Sequence, residues 1–273
     1  MSLLWQSMLS FIKVVLLSRP AGRAVGRIPA ERLTRGVVVL GNGPSLNETV
    51  ERGGEFLASH DLLAVNFAAC TPLFAQLKPD YYLLADPHFF KALDRENVAE
   101  LWKGIAGVEW DMTLFVPVRA VMPKLPANPH LNIVRFNTTP VEGFAWVENL
   151  LFSARLGMPR PRNVLIPSIM AAIGMGYKHI YLAGADHSWT RTLSVDDDNN
   201  VVSVQPHFYK EDTREVKRIN TEYMHYPLHK ILYSFYVAFK SYFTIARYAR
   251  YKKAEVINIT PGSFIDAFPR QKV

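Results

Sequence analysis

Gly36-Val37-Val38-Val39-Leu40-Gly41-Asn42-Gly43-Pro44-Ser45-Leu46 decides the fold of this chain. Val37 to Leu40 is an unbroken apolar run, the composition of a strand buried on both faces of a parallel sheet. It ends in a glycine turn that carries Asn, Pro and Ser. The two glycines suit backbone angles that a Cβ would forbid, Pro44 fixes φ, and Ser45 is placed to cap a following helix whose first N–H groups would face an anionic phosphate. Asn42 adds a side-chain amide at the same point. The spacing is neither the dinucleotide G-x-G-x-x-G, since no third glycine follows Leu46, nor a P-loop, since no Lys-Ser/Thr pair is present. An ordinary strand-to-helix loop shares the pattern, so the rest of the chain must decide between loop and ligand site.

Two further apolar runs end alike. Asp61 to Phe67 reads as a short strand delivering Asn66, and Pro79 to Pro87 as another delivering Asp86. In an open parallel sheet, ligands lie in the crevice outside the carboxyl ends of the strands. Asn42, Asn66 and Asp86 therefore fall at one candidate site. Thr113 to Val118 reads as a fourth strand and Pro123 to Pro129 as a surface loop. Residues 131 to 165 give no strong signal. After Pro167, Ser168 reads as the cap of a helix running to Met175, closed by Gly176; the strand His179 to Ala183 follows and leads into Gly184-Ala185-Asp186-His187-Ser188-Trp189.

The run Asp196-Asp197-Asp198-Asn199-Asn200 has no apolar periodicity and reads as a loop in a lid. Three carboxylates suggest a hard divalent cation, but adjacent residues seldom converge on one ion, which favours a solvated turn. Residues 222 to 252 form a long aromatic helix or helix pair, and Glu255 to Thr260 a closing strand. The expected architecture is an α/β, Rossmann-like, mostly parallel sheet with helices on both faces. Residues 1 to 30 form an amphipathic segment, residues 31 to 273 a single domain with a nucleotide ligand at its strand ends, and about 187 to 222 its lid.

Composition narrows the partners. With 273 residues and 49% apolar content the chain supports one or two domains. One cysteine, Cys70, excludes an intrachain disulfide framework and a Cys-rich zinc site, pointing to a reducing, cytoplasmic setting. A net charge of +7 asks for an anionic partner. Basic clusters lie at 19 to 35 and at 240 to 253, the second interleaved with aromatic residues, although a solvated helix face has the same look. No nucleic-acid motif is present. Leu3 to Leu17 carries polar residues at 6, 7, 10 and 13. It is short for a membrane span and lacks a signal cleavage site, so it reads either as an interfacial helix anchored by Trp5 or as a helix packed on the protein core.

Taken together, Gly41 to Leu46, Asn66, the block Gly176 to Asp186 and the ending Thr260-Pro261-Gly262-Ser263-Phe264 resemble, in order, the bacterial sialyltransferases of glycosyltransferase family 42. They also resemble the broader domain-of-unknown-function 115 set, which includes motility-associated factors and archaeal 6-hydroxymethylpterin diphosphokinases. The sialyltransferase resemblance implies metal-independent transfer of a CMP-activated acidic sugar to a lipopolysaccharide or other surface-glycan acceptor, lipid-linked and presented at the inner face of the cell membrane. It assigns Gly41, Asn42, Gly43, Pro44 and Ser45 to the phosphate and sugar region, Asn66 to the nucleotide and Asp86 to the donor sugar. Ser168 and Gly184 join the donor site, and Asp186 lies beside the ribose or the reacting centre. An inverting transfer also needs a general base, for which His is the usual choice. His207 and His225 lead the candidates, with His187 and His229 behind. Two departures stand out: the family's Arg-x-Thr-Ser-Gly run falls on Pro161 to Leu165, where no Thr-Ser-Gly occurs, and Asp86-Pro87 replaces an Asn-Pro. The diphosphokinase alternative would instead use ATP and make Asp86, Asp186 and Asp196 to Asp198 ligands of Mg²⁺. A non-catalytic membrane-peripheral nucleotide binder is the third reading.

Overall fold

The computed structural model describes residues 2–20, 28–202 and 226–273. In chain order it comprises α1 (Leu3–Leu17), α2 (Ala30–Arg35), β1 (Val37–Leu40), α3 (Ser45–Arg52), α4 (Gly54–Ala58), β2 (Asp61–Val65), α5 (Pro72–Leu77), β3 (Tyr81–Leu83), α6 (His88–Lys91) and α7 (Glu96–Ala106). Then follow β4 (Met112–Pro117), β5 (Leu131–Phe136), α8 (Ala145–Ser153), α9 (Leu165–Met175), β6 (His179–Ala183), the hairpin β7 (Ser194–Val195) and β8 (Val201–Val202), α10 (Leu228–Tyr251) and β9 (Glu255–Asn258).

Seven strands make one sheet in the order β5-β4-β3-β2-β1-β6-β9, with every neighbouring pair parallel. The expected α/β architecture is what forms. Alternation along each strand feeds two apolar layers. Val37, Val39, Leu63 and Leu83 pack with Ile169 and Ile173 of α9 and with Tyr242 and Ile245 of α10. Val38, Leu40 and Leu62 meet Leu46 of α3 and Leu57 of α4 on the other face, while Ala64, Tyr82 and Leu114 meet Leu101 and Ile105 of α7 there. β1 is fully enclosed, as its composition requires.

The chain builds outward from β1 through β2, β3, β4 and β5, then returns to place β6 on the opposite side of β1. The strand order therefore reverses between β1 and β6, and the carboxyl ends of those strands mark the switch point at which open α/β sheets hold their ligands.

The opposite end of the sheet is tied by charge. Asp61, only 2% exposed, accepts from Arg32 Nε at 2.9 Å and Arg35 Nη2 at 3.1 Å, and from the Tyr177 hydroxyl. Arg32 Nη2 also reaches Asp80 Oδ1 at 2.5 Å, and Tyr81 pairs with Tyr177 at 2.8 Å. Burial pushes the Asp80 carboxyl and the Tyr81 phenol upward, and Tyr177 further still. The cluster locks α2 to the starts of β2, β3 and β6, so the arginines between 30 and 35 have an internal task.

The weakly patterned stretch from 131 to 165 contains β5 and α8. β5 is an edge strand with Asn132, Ile133 and Arg135 exposed and no residue fully buried, which explains its faint signal. Asp196 to Asn200 close the β7–β8 hairpin. Asp196 Oδ1 accepts the N–H groups of Asp198 at 3.0 Å and Asn200 at 2.7 Å, so this carboxylate holds its own turn. The rest of the expected lid, including His207, and also His225, lie outside the described residues.

Candidate functional site at the switch point

The loops after β1 and β6 lie backbone to backbone. Gly41 N–H donates to the Ala183 carbonyl at 2.8 Å and Gly43 N–H to the Gly184 carbonyl at 2.9 Å, which carries the ladder past both strand ends. A Cβ on Gly41 would strike the Gly184 carbonyl; one on Gly43 would strike the Asp186 carboxylate and, at 2.7 Å, the Gly184 oxygen. Neither Gly41 nor Gly43 has a positive φ, whereas Gly184 does, at 61°. The β1 glycines are thus required by close approach rather than by unusual backbone angles.

Ser45 departs from expectation too. The N-cap position of α3 belongs to Pro44, and Ser45 is the first helical residue. Its Oγ donates to Asp186 Oδ2 at 2.7 Å across 141 residues of sequence, and its backbone N–H supports the same carboxylate. The helix start expected to face a phosphate therefore carries the chain's own anion, which suits the dipole equally well. Burial raises the Asp186 carboxyl above the usual range, and the Ser45 bonds offset part of that rise.

Asn42 Nδ2 reaches the Val65 carbonyl at 3.4 Å, joining the ends of β1 and β2. Asn66 follows at once, in the left-handed region with φ 52°, and its carbonyl accepts the buried Tyr82 hydroxyl. Asp86 stands farther along, past β3. It is exposed, and its Oδ1 accepts the His88 N–H at 2.8 Å, opening α6. Asn42, Ser45, Gly184 and Asp186 are thus brought together, with Asn66 on the adjoining strand end. Asp86 is two strands away from β1 in the sheet order.

Ser168 is not a cap. It is fully buried inside α9 and its hydroxyl donates back to the Val164 carbonyl at 2.8 Å. The capping oxygen is Asn163 Oδ1, which accepts the N–H groups of Leu165 at 3.0 Å and Ile166 at 3.3 Å. Pro167 sits in the first turn, where its missing N–H costs nothing. Asn163 Oδ1 has a third partner, the Tyr242 hydroxyl at 3.0 Å. An amide oxygen can only accept, so that contact uses the single phenolic proton. Tyr242 must then accept from His187 Nε2 at 2.6 Å, which fixes His187 as its Nε2–H tautomer. His187, with φ 50°, stacks on Trp189 at 4.1 Å, and burial pushes its imidazolium down to about 3. A histidine so held stays neutral and is a weak base. Its part is to anchor the Asp186 loop to α9 and α10. His229, on the first turn of α10, is exposed.

Sequence reasoning missed the residues that clamp this loop from the β9 side. Thr260 Oγ1 accepts the Ala185 N–H at 3.0 Å and donates to the Leu182 carbonyl, while Ser263 Oγ donates to the Ala185 carbonyl at 2.6 Å. Phe264 N–H donates to the Asp186 carbonyl at 2.9 Å. The Arg191 guanidinium lies 4.6 Å over the Phe264 ring, which sets a cation beside the Asp186 loop. The Thr-Pro-Gly-Ser-Phe ending is plain in the sequence, but nothing local in it signals a partner 75 residues earlier.

No protein-family model matches the chain, and no curated protein matches it. Among solved structures the chain is similar to the MAf glycosyltransferase from Magnetospirillum magneticum AMB-1, with a TM-score of 0.51 and 14% sequence identity over 99% of this chain. The chain spans 38% of the length of that protein. The likeness is one of fold: the parallel α/β framework is shared with a glycosyltransferase.

Proposed function

We propose that the protein transfers a sugar from a nucleotide-activated donor to a glycan acceptor, with the donor seated at the carboxyl ends of β1, β2 and β6. The observation that carries this reading is the convergence of Asn42, Ser45 and Asp186 at the point where the strand order reverses. The fold shared with a glycosyltransferase supports it.

The parts divide by charge. A carboxylate on the α3 start repels phosphate, so Asp186 takes hydroxyl groups, either of the donor ribose or of the attacking acceptor, and the phosphates lie toward Arg191. A raised pKa moves Asp186 toward the range of a general base, the role that His187 cannot fill. His207 and His225 remain the imidazole candidates. Asn42 and Asn66 supply amides to the nucleotide. The donor is a CMP-linked acidic sugar in the sialyltransferase manner, and the acceptor a lipid-linked or lipopolysaccharide glycan at the inner membrane face. Pyrophosphoryl transfer from ATP with Mg²⁺ comes second, because Asp86 and Asp196 already spend oxygens on local turns.

The test is nucleotide release from a panel of CMP-, UDP- and GDP-sugars, with ATP and Mg²⁺ as a separate arm. Release from a CMP-sugar that falls at least about a hundredfold in Asp186→Asn supports the proposal. Turnover of ATP alone, with every nucleotide sugar inert, overturns it.

A further inference from the structure

Helix α1 is mounted inside out. Its buried positions are Ser7, Ser10 and Val14, while nine of its fifteen residues are large, apolar and exposed, Val15 at 78% and Leu16 at 64% foremost. A helix that packed on its own protein for hydrophobic reasons would do the reverse.

The serine face is specified by hydrogen bonds. Ser10 Oγ accepts the Glu142 N–H at 2.9 Å and donates to the Glu142 carbonyl at 2.7 Å; Ser7 Oγ accepts the Phe144 N–H at 3.0 Å. Gly143, with φ 140°, lies so close that a Cβ there would collide with Ser7. At the far end Ser18 Oγ bonds Thr139 and the Leu156 carbonyl, and Asn137 brackets Arg19 by accepting its N–H at 2.9 Å and donating to its carbonyl at 2.8 Å. Arg119 closes the helix by donating to the Leu16 and Leu17 carbonyls. Polar bonds at both ends leave the helix one orientation, apolar face outward.

We infer that this face is a monotopic membrane anchor that seats the protein on an anionic lipid surface. The charge pattern selects this occupant. Residues 2 to 20 hold Lys13 and Arg19 and no Asp or Glu, and Arg119 adds an exposed guanidinium at the end of the helix. An apolar face of Leu, Phe, Ile and Trp beside cations is the pattern of helices that lie in the headgroup boundary of anionic bilayers. Among the described residues no helix is long and apolar enough to cross a membrane, so α1 lies on the surface. Trp5, half exposed in the first turn, belongs at the interface.

The experiment is co-sedimentation of the full chain with phosphatidylcholine vesicles, with and without 30% phosphatidylglycerol, in low and high salt, together with the sedimentation coefficient in the absence of vesicles. The variant is Leu4→Gln/Val15→Gln/Leu16→Gln, confined to exposed positions so that the fold stands. The expected result is a monomer that pellets with the anionic vesicles, less so in high salt, and whose partitioning falls at least about tenfold in the variant. The inference is overturned if the wild type stays in the supernatant with both vesicle types, or if the variant pellets as well as the wild type. It is also overturned if the wild type is a dimer that the variant converts to a monomer with no change in vesicle binding, which would make this face an interface between copies. No arm contains a nucleotide or sugar, so the outcome is independent of the glycosyl-transfer reading.

Discussion

Gly43→Ala tests whether the β1 and β6 loops interlock as described. The new Cβ would sit against the Asp186 carboxylate, with Asp186 Cγ and the Gly184 oxygen each 2.7 Å away. The Gly184 oxygen is backbone, held by the Gly43 N–H, so the Asp186 side chain is the part able to move, and moving it breaks the Ser45 bond. Overpacking costs about 1–3 kcal/mol, and loss of a charge-assisted hydrogen bond about 1.5 kcal/mol more. For a chain of this size each kcal/mol lowers the Tm by about 2–4 °C, so the variant should melt roughly 8 °C below the wild type. Gly174→Ala is the control. That glycine is inside α9 with nothing within 4 Å of a Cβ, so alanine should stabilise by about 0.5–1 kcal/mol. Differential scanning calorimetry reads both. A Gly43→Ala protein melting within about 1 °C of wild type would refute the interlocked loops and the placement of Asp186 on α3.

Asp61→Asn should cost about 3 kcal/mol in urea unfolding, because it strips the buried partner of Arg32 and Arg35 at the sheet end remote from the site, while leaving nucleotide binding intact. His187 is held at about 3 against roughly 6.5 when unfolded, so the unfolded chain takes up the proton first and stability falls as pH drops from 6.5 toward 3. His187→Gln, which keeps a donor toward Tyr242, should flatten that part of the pH profile, and an unchanged profile would contradict the buried neutral imidazole. The Asp186 carboxyl is raised, so its ionisation opposes folding above its folded pKa and has no effect below the unfolded value of about 3.9. Asp186→Asn should therefore raise the Tm at pH 7 but not at pH 3 while turnover falls at least about a hundredfold, the exchange expected of a functional carboxylate.

Legibility in the sequence followed burial. Buried apolar strands announce themselves: Val37 to Leu40, enclosed on both faces, is the strand found, and His179 to Ala183, with Ile180, Leu182 and Ala183 buried, likewise. β5 carries Asn132 and Arg135 along an edge, and its pairing depends on β4 rather than on its own pattern. Pro167-Ser168 has the local pattern of a helix start, but the capping oxygen of α9 is that of Asn163, which also holds Tyr242 from a helix 79 residues later. The site divides the same way. Strand-end position made Asn42, Asn66 and Asp186 legible. The Ser45–Asp186 bond and the Thr260 and Ser263 clamp span 75 residues or more and exist only once the sheet has closed. The helical period of α1 was legible, but not which face it turns outward, since that follows from the loop at 139 to 144.

The most direct test of the central claim is isothermal titration of CMP into the wild-type protein and Asn42→Ala, without metal, with ATP plus Mg²⁺ titrated in parallel. The account predicts saturable CMP binding to wild type that weakens at least about tenfold in the variant, the worth of one hydrogen bond at the nucleotide. Binding of ATP with Mg²⁺ and none of CMP, or CMP binding that Asn42→Ala leaves unchanged, would contradict a CMP-sugar donor seated at the β1 and β6 strand ends.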